Sequence, residues 1–169
     1  TKDGVTVGGD GFVDGEGATY NVTGTITNVG EKPNAFTYTL KDNTKAKNYN
    51  ITETPGTLKV IPITDKVTVT IKGNDKNAKY DGNGHTDSGY TVKSISNNLY
   101  SKDDFTFSGT AEVKGTDAGT YDMNVKATDF TNINDNFSNV EFVVEDGQLI
   151  ISKRDVTLTS GSAEKVYDG

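Results

Sequence analysis

Lys66-Val67-Thr68-Val69-Thr70-Ile71, followed by Ala78-Lys79-Tyr80-Asp81-Gly82, returns near the end of the chain as Asp155-Val156-Thr157-Leu158-Thr159 followed by Lys165-Val166-Tyr167-Asp168-Gly169. Each copy joins an alternating apolar/threonine run to a Tyr-Asp-Gly turn. Tyr80 and Tyr167 stand 87 residues apart (167 − 80). A period of that length marks a tandem array of small domains.

Other segments obey a similar spacing. Val5-Thr6-Val7 matches Tyr90-Thr91-Val92 at an offset of 85 (90 − 5), and Val22-Thr23-Gly24-Thr25-Ile26 matches Phe107-Ser108-Gly109-Thr110-Ala111 at the same offset. Residues 36–40 fall on 121–125, and Asn48-Tyr49 parallels Asn136-Phe137. Gly56-Thr57-Leu58 parallels Gly147-Gln148-Leu149 at 91 (147 − 56), the extra residues lying in a longer loop around 132–136.

Period-two alternation of β-branched and aromatic residues predicts strands at 20–27, 36–40, 49–52, 58–63, 67–71, 90–92, 107–111 and 121–125. Gly30 to Asn34 contains Pro33 and reads as a turn, Gly73 to Asn77 as a polar loop, and Pro55-Gly56 as a second turn. No segment carries a sustained helical period. One helical turn is expected near Leu99 to Asp104, with Ser101 as cap and Asp103 and Asp104 in the first turn. The chain is therefore expected to be all-β, as two small β-sandwiches or a related mostly-β fold. Expected core residues are Val22, Ile26, Phe36, Tyr38 and Leu40 in the first unit. In the second they are Val113, Tyr121, Met123, Val125, Phe142 and Leu149.

Composition agrees with two thin cores. Only 32% of the 169 residues are hydrophobic, 19 are glycine and none is tryptophan. A net charge of −7 without a clustered Lys/Arg run disfavours nucleic acid or an anionic membrane surface as partner. Cysteine is absent, so disulfides do not brace these units. No apolar run approaches the roughly 20 residues of a membrane span.

The Tyr-Asp-Gly turn after an opening strand, Asp117-Ala118-Gly119-Thr120-Tyr121, and Asn-Tyr/Phe followed by Gly-x-Leu together resemble the YDG/MBG-type tandem repeats of bacterial cell-surface proteins and adhesins. The resemblance covers nearly the whole chain. It implies extracellular, immunoglobulin-like or β-grasp-like repeats that serve as a stalk or spacer on the bacterial surface. The alternative is a module that recognises a host glycan or protein through its loops, and a carbohydrate-active enzyme's accessory region is a more distant rival. The first copy departs from the pattern, with Lys32-Pro33-Asn34-Ala35-Phe36 where the second has Asp117 to Tyr121. Asp-x-Gly-x-Tyr resembles the tyrosine corner of immunoglobulin folds, a bond that Phe36 could not make.

Each polar motif has a structural reading that competes with a functional one. In Tyr80-Asp81-Gly82, Asp accepts local backbone bonds, Gly supplies positive φ and Tyr anchors the rim, which outweighs ligand contact by the tyrosine. Asp10, Asp14 and Glu16 could offer oxygens to Ca²⁺, but the spacing fits no EF-hand and a solvated loop is the better reading. Asp129, Asn132, Asn134 and Asp135 form a second, weaker set. His85 is the only histidine and no serine has a nucleophile-elbow context, so neither a catalytic triad nor a common zinc site is expected. Paired carboxylates remain open, though two thin repeats offer no obvious cleft. No cofactor is expected. Asn21-Val22-Thr23 and Asn50-Ile51-Thr52 match the glycosylation pattern, which is treated as chance. An internal isopeptide brace would need a buried Lys. Lys59 and Lys66 flank apolar strands, and their alternation points them outward.

Two frames divide the chain. In the favoured one, 1–64 is a first repeat lacking its opening strand, 65–152 is a second, and 153–169 is the opening strand of a third. In the other, units end at Tyr-Asp-Gly, giving 1–82 and 83–169. The short connector Thr64-Asp65-Lys66 should hold neighbouring repeats nearly end to end. Under the favoured frame 153–169 must find a sheet edge or stay unpaired. It is short for a return across a domain of roughly 40 Å, which takes about 12 extended residues. Head-to-tail self-association through 153–169 is the expected consequence.

Overall fold

The computed structural model describes residues 4–169. The protein is mostly β, built from several small sheets and no barrel, with only single 3-10 turns among the described residues as helical structure. It divides into two compact units. Unit 1 comprises the described residues up to Asp65 together with Asn134–Asn139; unit 2 comprises Lys66–Ile133 and Val140–Gly169.

Unit 1 has four strands, β1 (Ala18–Val22), β2 (Gly30–Asn34), β3 (Phe36–Leu40) and β4 (Gly56–Val60). They form two antiparallel ladders, β1 with β3 (Val22 opposite Phe36) and β2 with β4 (Lys32 opposite Leu58). Ile63 makes an isolated parallel bridge to Phe137 of the 134–139 segment.

Unit 2 contains β5 (Val67–Gly73), β6 (Lys76–Lys79), β7 (His85–Ser88), β8 (Tyr90–Ile95), β9 (Phe105–Phe107), β10 (Glu112–Gly115), β11 (Gly119–Asp122), β12 (Phe130–Asn132), β13 (Val140–Glu145) and β14 (Gln148–Ser152). β5 is central in its sheet, with β13 parallel on one side (Val69 opposite Phe142) and β8 antiparallel on the other (Ile71 opposite Val92). Its alternating sequence follows from that position. Val67, Val69 and Ile71 are 0% exposed, while Thr68 and Thr70 are half-buried. Beyond Gly73 the chain turns into β6, which runs parallel to β14, itself paired antiparallel with β11. β9 pairs with β12 and β10 with β7. An aromatic cluster fills one part of the core: Phe130 lies 4.8 Å from Phe107, 5.1 Å from Tyr90 and 5.5 Å from Phe142, ring centre to ring centre.

The two units share ladders, but the equivalences differ from those of a constant offset. Thr23 N–H and Gly24 N–H donate to the Ala35 carbonyl (2.8 and 2.9 Å), as Ser108 N–H donates to that of Asp129 (2.9 Å). Phe36 therefore takes the place of Phe130, not of Tyr121. Leu58 in the β2–β4 ladder corresponds to Leu149 in the β11–β14 ladder, which sets Lys32 opposite Leu58 where Tyr121 lies opposite Leu149. Unit 2 inserts a 3-10 turn (Ala127–Asp129) between β11 and β12 where unit 1 has Ala35 alone.

Several expected elements are corrected. Gly30–Asn34 is a strand because Pro33, which has no N–H to give, sits on an outer strand of its two-stranded sheet. Residues 49–52 form no strand, and the run 5–7 that matches 90–92 forms none either. Their counterparts in unit 2 are β13 and β8, both paired to β5, and unit 1 has no β5 among its described residues. A strand without a ladder partner leaves its hydrogen bonds to water. For the same reason 155–159, expected to match 66–71 as a strand, is unpaired. Val156 is 75% and Leu158 92% exposed. The strands expected at 20–27, 107–111 and 121–125 end at Val22, Phe107 and Asp122, and part of the 73–77 loop belongs to β5 and β6. The helical turn forms as a 3-10 turn, Lys102–Asp104, with Ser101 Oγ accepting from Asp103 N–H and Asp104 Oδ2 accepting from Ser101 N–H.

Of the expected core, Val113, Met123, Val125 and Leu149 are buried, Tyr121 and Phe142 half-buried, and all five first-unit residues half-buried. Val67, Val69, Ile71, Tyr100, Phe105, Phe130 and Ile151 complete the unit 2 core. Leu149→Ala is expected to lower stability by about 2–5 kcal/mol, read from urea unfolding. A loss under about half a kcal/mol would place Leu149 outside the core.

Candidate functional site

The Tyr-Asp-Gly turn closes on itself. Asp81 Oδ1 accepts from Asn83 N–H (2.9 Å) and lies 3.0 Å from His85 Nε2, while Gly82 adopts φ +86°. The bond from the Asn83 amide, with His85 adding a smaller share, holds the Asp81 carboxyl below its ordinary value of 3.8. Tyr80 N–H donates to the Ser152 carbonyl (2.9 Å), tying the turn to the end of β14. His85, on β7, is thus engaged with Asp81. In the second copy of the motif, Tyr167 is 91% exposed, and Lys165 pairs with Asp168 at 2.7 Å.

The bond expected of the Tyr121 hydroxyl forms in unit 2. Tyr121 Oη donates to the Asp117 carbonyl (2.9 Å). Its ring lies flush on Gly115, where a Cβ would come within 2.5 Å of it, and near Gly119, where a Cβ would lie at 3.7 Å. Lys32 stands at the corresponding position of unit 1.

The acidic loop of unit 1 does not converge on one point. Tyr49 Oη donates to the Glu16 carboxylate, which raises the tyrosine's pKa, while Asp10 and Asp14 face solvent. The second oxygen-rich set is spent locally. Asp129 Oδ2 accepts from Lys126 N–H (2.9 Å), Asn132 Oδ1 accepts from Tyr100 Oη (2.9 Å), Asn134 Oδ1 accepts from Asn136 N–H (3.0 Å), and Asp135 is exposed. Among the described residues no group of three His, Cys, Asp or Glu side chains is placed to hold a metal ion. Burial, with the Asp104 charge beside it, raises the Tyr100 phenol to about 12. Lys59 and Lys66, considered for a covalent brace, form exposed ion pairs with Glu31 and Glu141.

Sequence reasoning missed the most connected polar groups, which surround the turns after β5 and β13. A shallow depression of about 420 Å³ there is lined by Lys72, Asp75, Asp146 and Gln148, among others. Lys72 Nζ donates to Asp75 (3.1 Å) and to the Asp146 carbonyl (2.7 Å), and Asp75 Oδ1 accepts from Gln148 N–H (3.0 Å). Lys72, more than that amide, holds the Asp75 carboxyl below its ordinary value. The Asp146 carboxylate accepts from the amides of Asn124 (2.8 Å) and Val125 (3.0 Å), and Asn124 is left-handed at φ 63°. Between these groups the backbones nearly touch: a Cβ on Gly147 would lie 2.2 Å from the Asn74 carbonyl oxygen, and one on Gly73 2.5 Å from Gly147 N. The only sequence signal was the repeated Gly-x-Leu. Lys72 pairs with Asp75, while Asp146 and Gln148 reach Asn124, Val125 and Asp122, so the arrangement fastens the turns together.

Compared with protein-family models, curated proteins and solved structures, the chain shows no match.

Two outcomes are expected. Gly147→Ala should destabilise unit 2 by about 3 kcal/mol or more, because the clash is with backbone; thermal unfolding checks it. The Asp81 contribution, from a depressed carboxyl, is fully present above pH 3.8 and lost as pH falls through the lowered value. The melting-temperature gap between wild type and Asp81→Ala should therefore shrink in acid, and an invariant gap would remove the turn carboxylate from the stability of the unit.

Proposed function

We propose that the chain is a structural spacer segment of a bacterial cell-surface adhesin, working mechanically and without catalysis. On this reading its units are tandem immunoglobulin-like sandwiches or their β-grasp-like counterparts. The observation that carries it is the direction of the strands at the two ends of unit 2. β5, the first strand, runs parallel to β13, and β14, the last, runs parallel to β6. Tension applied where the chain enters and leaves the unit pulls β5 backwards along β13 and β14 forwards along β6. Ladder bonds lie across the strands, so each ladder is loaded in shear and several bonds must fail together. The shared ladders of the two units, the Cys-free acidic composition and the Tyr-Asp-Gly repeat support the surface setting.

The test is single-molecule pulling with handles at Lys66 and Lys153, compared with handles at Lys66 and Asn98. The second pair opens the antiparallel β5–β8 ladder from one end, where Ser96 N–H donates to the Thr68 carbonyl at 3.0 Å. The first geometry should rupture at clearly higher force, with an extension of about 300 Å at 3.3–3.6 Å per residue. Equal forces would remove the mechanical argument. Selective retention on a glycan array would instead assign the chain to recognition through its loops.

A further inference from the structure

We propose that Asn83-Gly84, in the turn between β6 and β7, is a site of spontaneous deamidation that gives this turn a limited chemical lifetime. The inference stands whether or not the spacer reading holds.

The reaction joins two neighbouring groups. The Gly84 backbone nitrogen attacks Asn83 Cγ, and the new C–N bond closes a succinimide ring. The Cγ–Nδ2 bond breaks, the proton of the Gly84 N–H passes to the departing nitrogen, and ammonia leaves. Water then opens the ring at either carbonyl, giving aspartate or isoaspartate. Water is the only other reactant.

Sequence and structure both single out Asn83. It alone among the asparagines is followed by glycine, so no side chain on the next residue crowds the attacking nitrogen. Asn83 and Gly84 are exposed and lie between the end of β6 at Lys79 and the start of β7 at His85, outside every ladder. Among the described residues the Gly84 N–H donates to no acceptor, so the attacking nitrogen gives up no hydrogen bond to react. Exposed backbone outside a ladder is also the part of a fold that opens most readily.

The neighbouring Asp-Gly steps are poorer sites. They close the same ring only from the protonated acid, because an anionic carboxylate repels the attacking nitrogen. Asp81 is held ionised by Asn83, with His85 adding a smaller share. Both carboxylate oxygens of Asp146 accept backbone amides, and Gly147 is pressed against Asn74.

The product acts on the bond that closes the turn. Asn83 N–H donates to Asp81 Oδ1 at 2.9 Å, and the Asn83 side chain further favours the ionised Asp81. Aspartate at this position replaces that carboxamide with a second negative charge, and like charges side by side disfavour each other. Isoaspartate lengthens the backbone by a methylene and shifts the residues after it away from Asp81. Tyr80, beside Asp81, carries the N–H that holds the Ser152 carbonyl, so a loosened turn reaches the end of β14.

The test is to age the intact folded chain in mildly alkaline buffer and map its peptides by mass spectrometry, with the chain unfolded in urea as reference. Asn83 should deamidate first among the asparagines, within about tenfold of its rate in the unfolded chain, and yield both aspartate and isoaspartate. Gly84→Ala should fold, since its Cβ would meet only Thr116 Oγ1, at 3.8 Å, and φ there is not positive. It should slow the reaction about tenfold or more by restricting the approach of the nitrogen. Aged wild type and fresh Asn83→Asp should both melt below the fresh chain. An Asn83 that stays intact in the folded chain while the unfolded chain reacts overturns the proposal. So does faster loss at another asparagine, a rate indifferent to Gly84→Ala, or a melting temperature that ageing leaves unchanged.

Discussion

The structure of unit 2 depends on one close approach, that of Gly73 to Gly147. Two pairs of strands, β5 with β13 and β6 with β14, run parallel and turn together at this point, so each pair passes from one three-stranded sheet to the next. A side chain on either glycine would hold the backbones apart and break one ladder or the other. Because β5 is central, its three inward side chains are fully buried. Parallel pairing of this kind is usual where a strand is covered on both faces.

Unit 1 shows the same chain segments without that pair. Leu58, the counterpart of the wholly buried Leu149, is 9% exposed, and Phe36, the counterpart of buried Phe130, is only half-buried. The ladders survive because they are local antiparallel pairs, but the side chains that would meet β5 and β6 lose their cover. Burial at about 25 cal/mol per Å² is the main favourable term.

Differences between the units come in physically linked sets. Unit 2 extends the connection between β11 and β12, and that extension brings the left-handed Asn124. Its exposed amides are met by the Asp146 carboxylate. Unit 1 has a single residue, Ala35, in that connection and Pro55 in place of Asp146, so neither the extra amides nor their acceptor is present. Likewise Tyr121, whose hydroxyl holds the Asp117 carbonyl, is replaced by Lys32. Such groups are best read as fasteners for particular loops, since an amide left buried without an acceptor is costly.

Much was legible in the sequence because it is set by local chemistry. Alternation located the strand cores at 36–40, 58–60 and 67–71, Gly82 the left-handed turn, and Ser101 with Asp104 the capped 3-10 turn. The repeat itself came from spacing, while spacing left two frames for dividing it, and only the linker-like Pro62 to Lys66 favoured a division near residue 65. What only the tertiary structure decided is pairing. Val67-Thr68-Val69-Thr70 and Val156-Thr157-Leu158-Thr159 have nearly the same sequence, yet one is the buried centre of a sheet and the other is exposed. Alternation fixes which side chains can share a face, whereas a strand exists only where neighbours accept its backbone hydrogen bonds. Those neighbours lie far away in the chain: β13 is more than sixty residues beyond β5, beyond the reach of any local pattern.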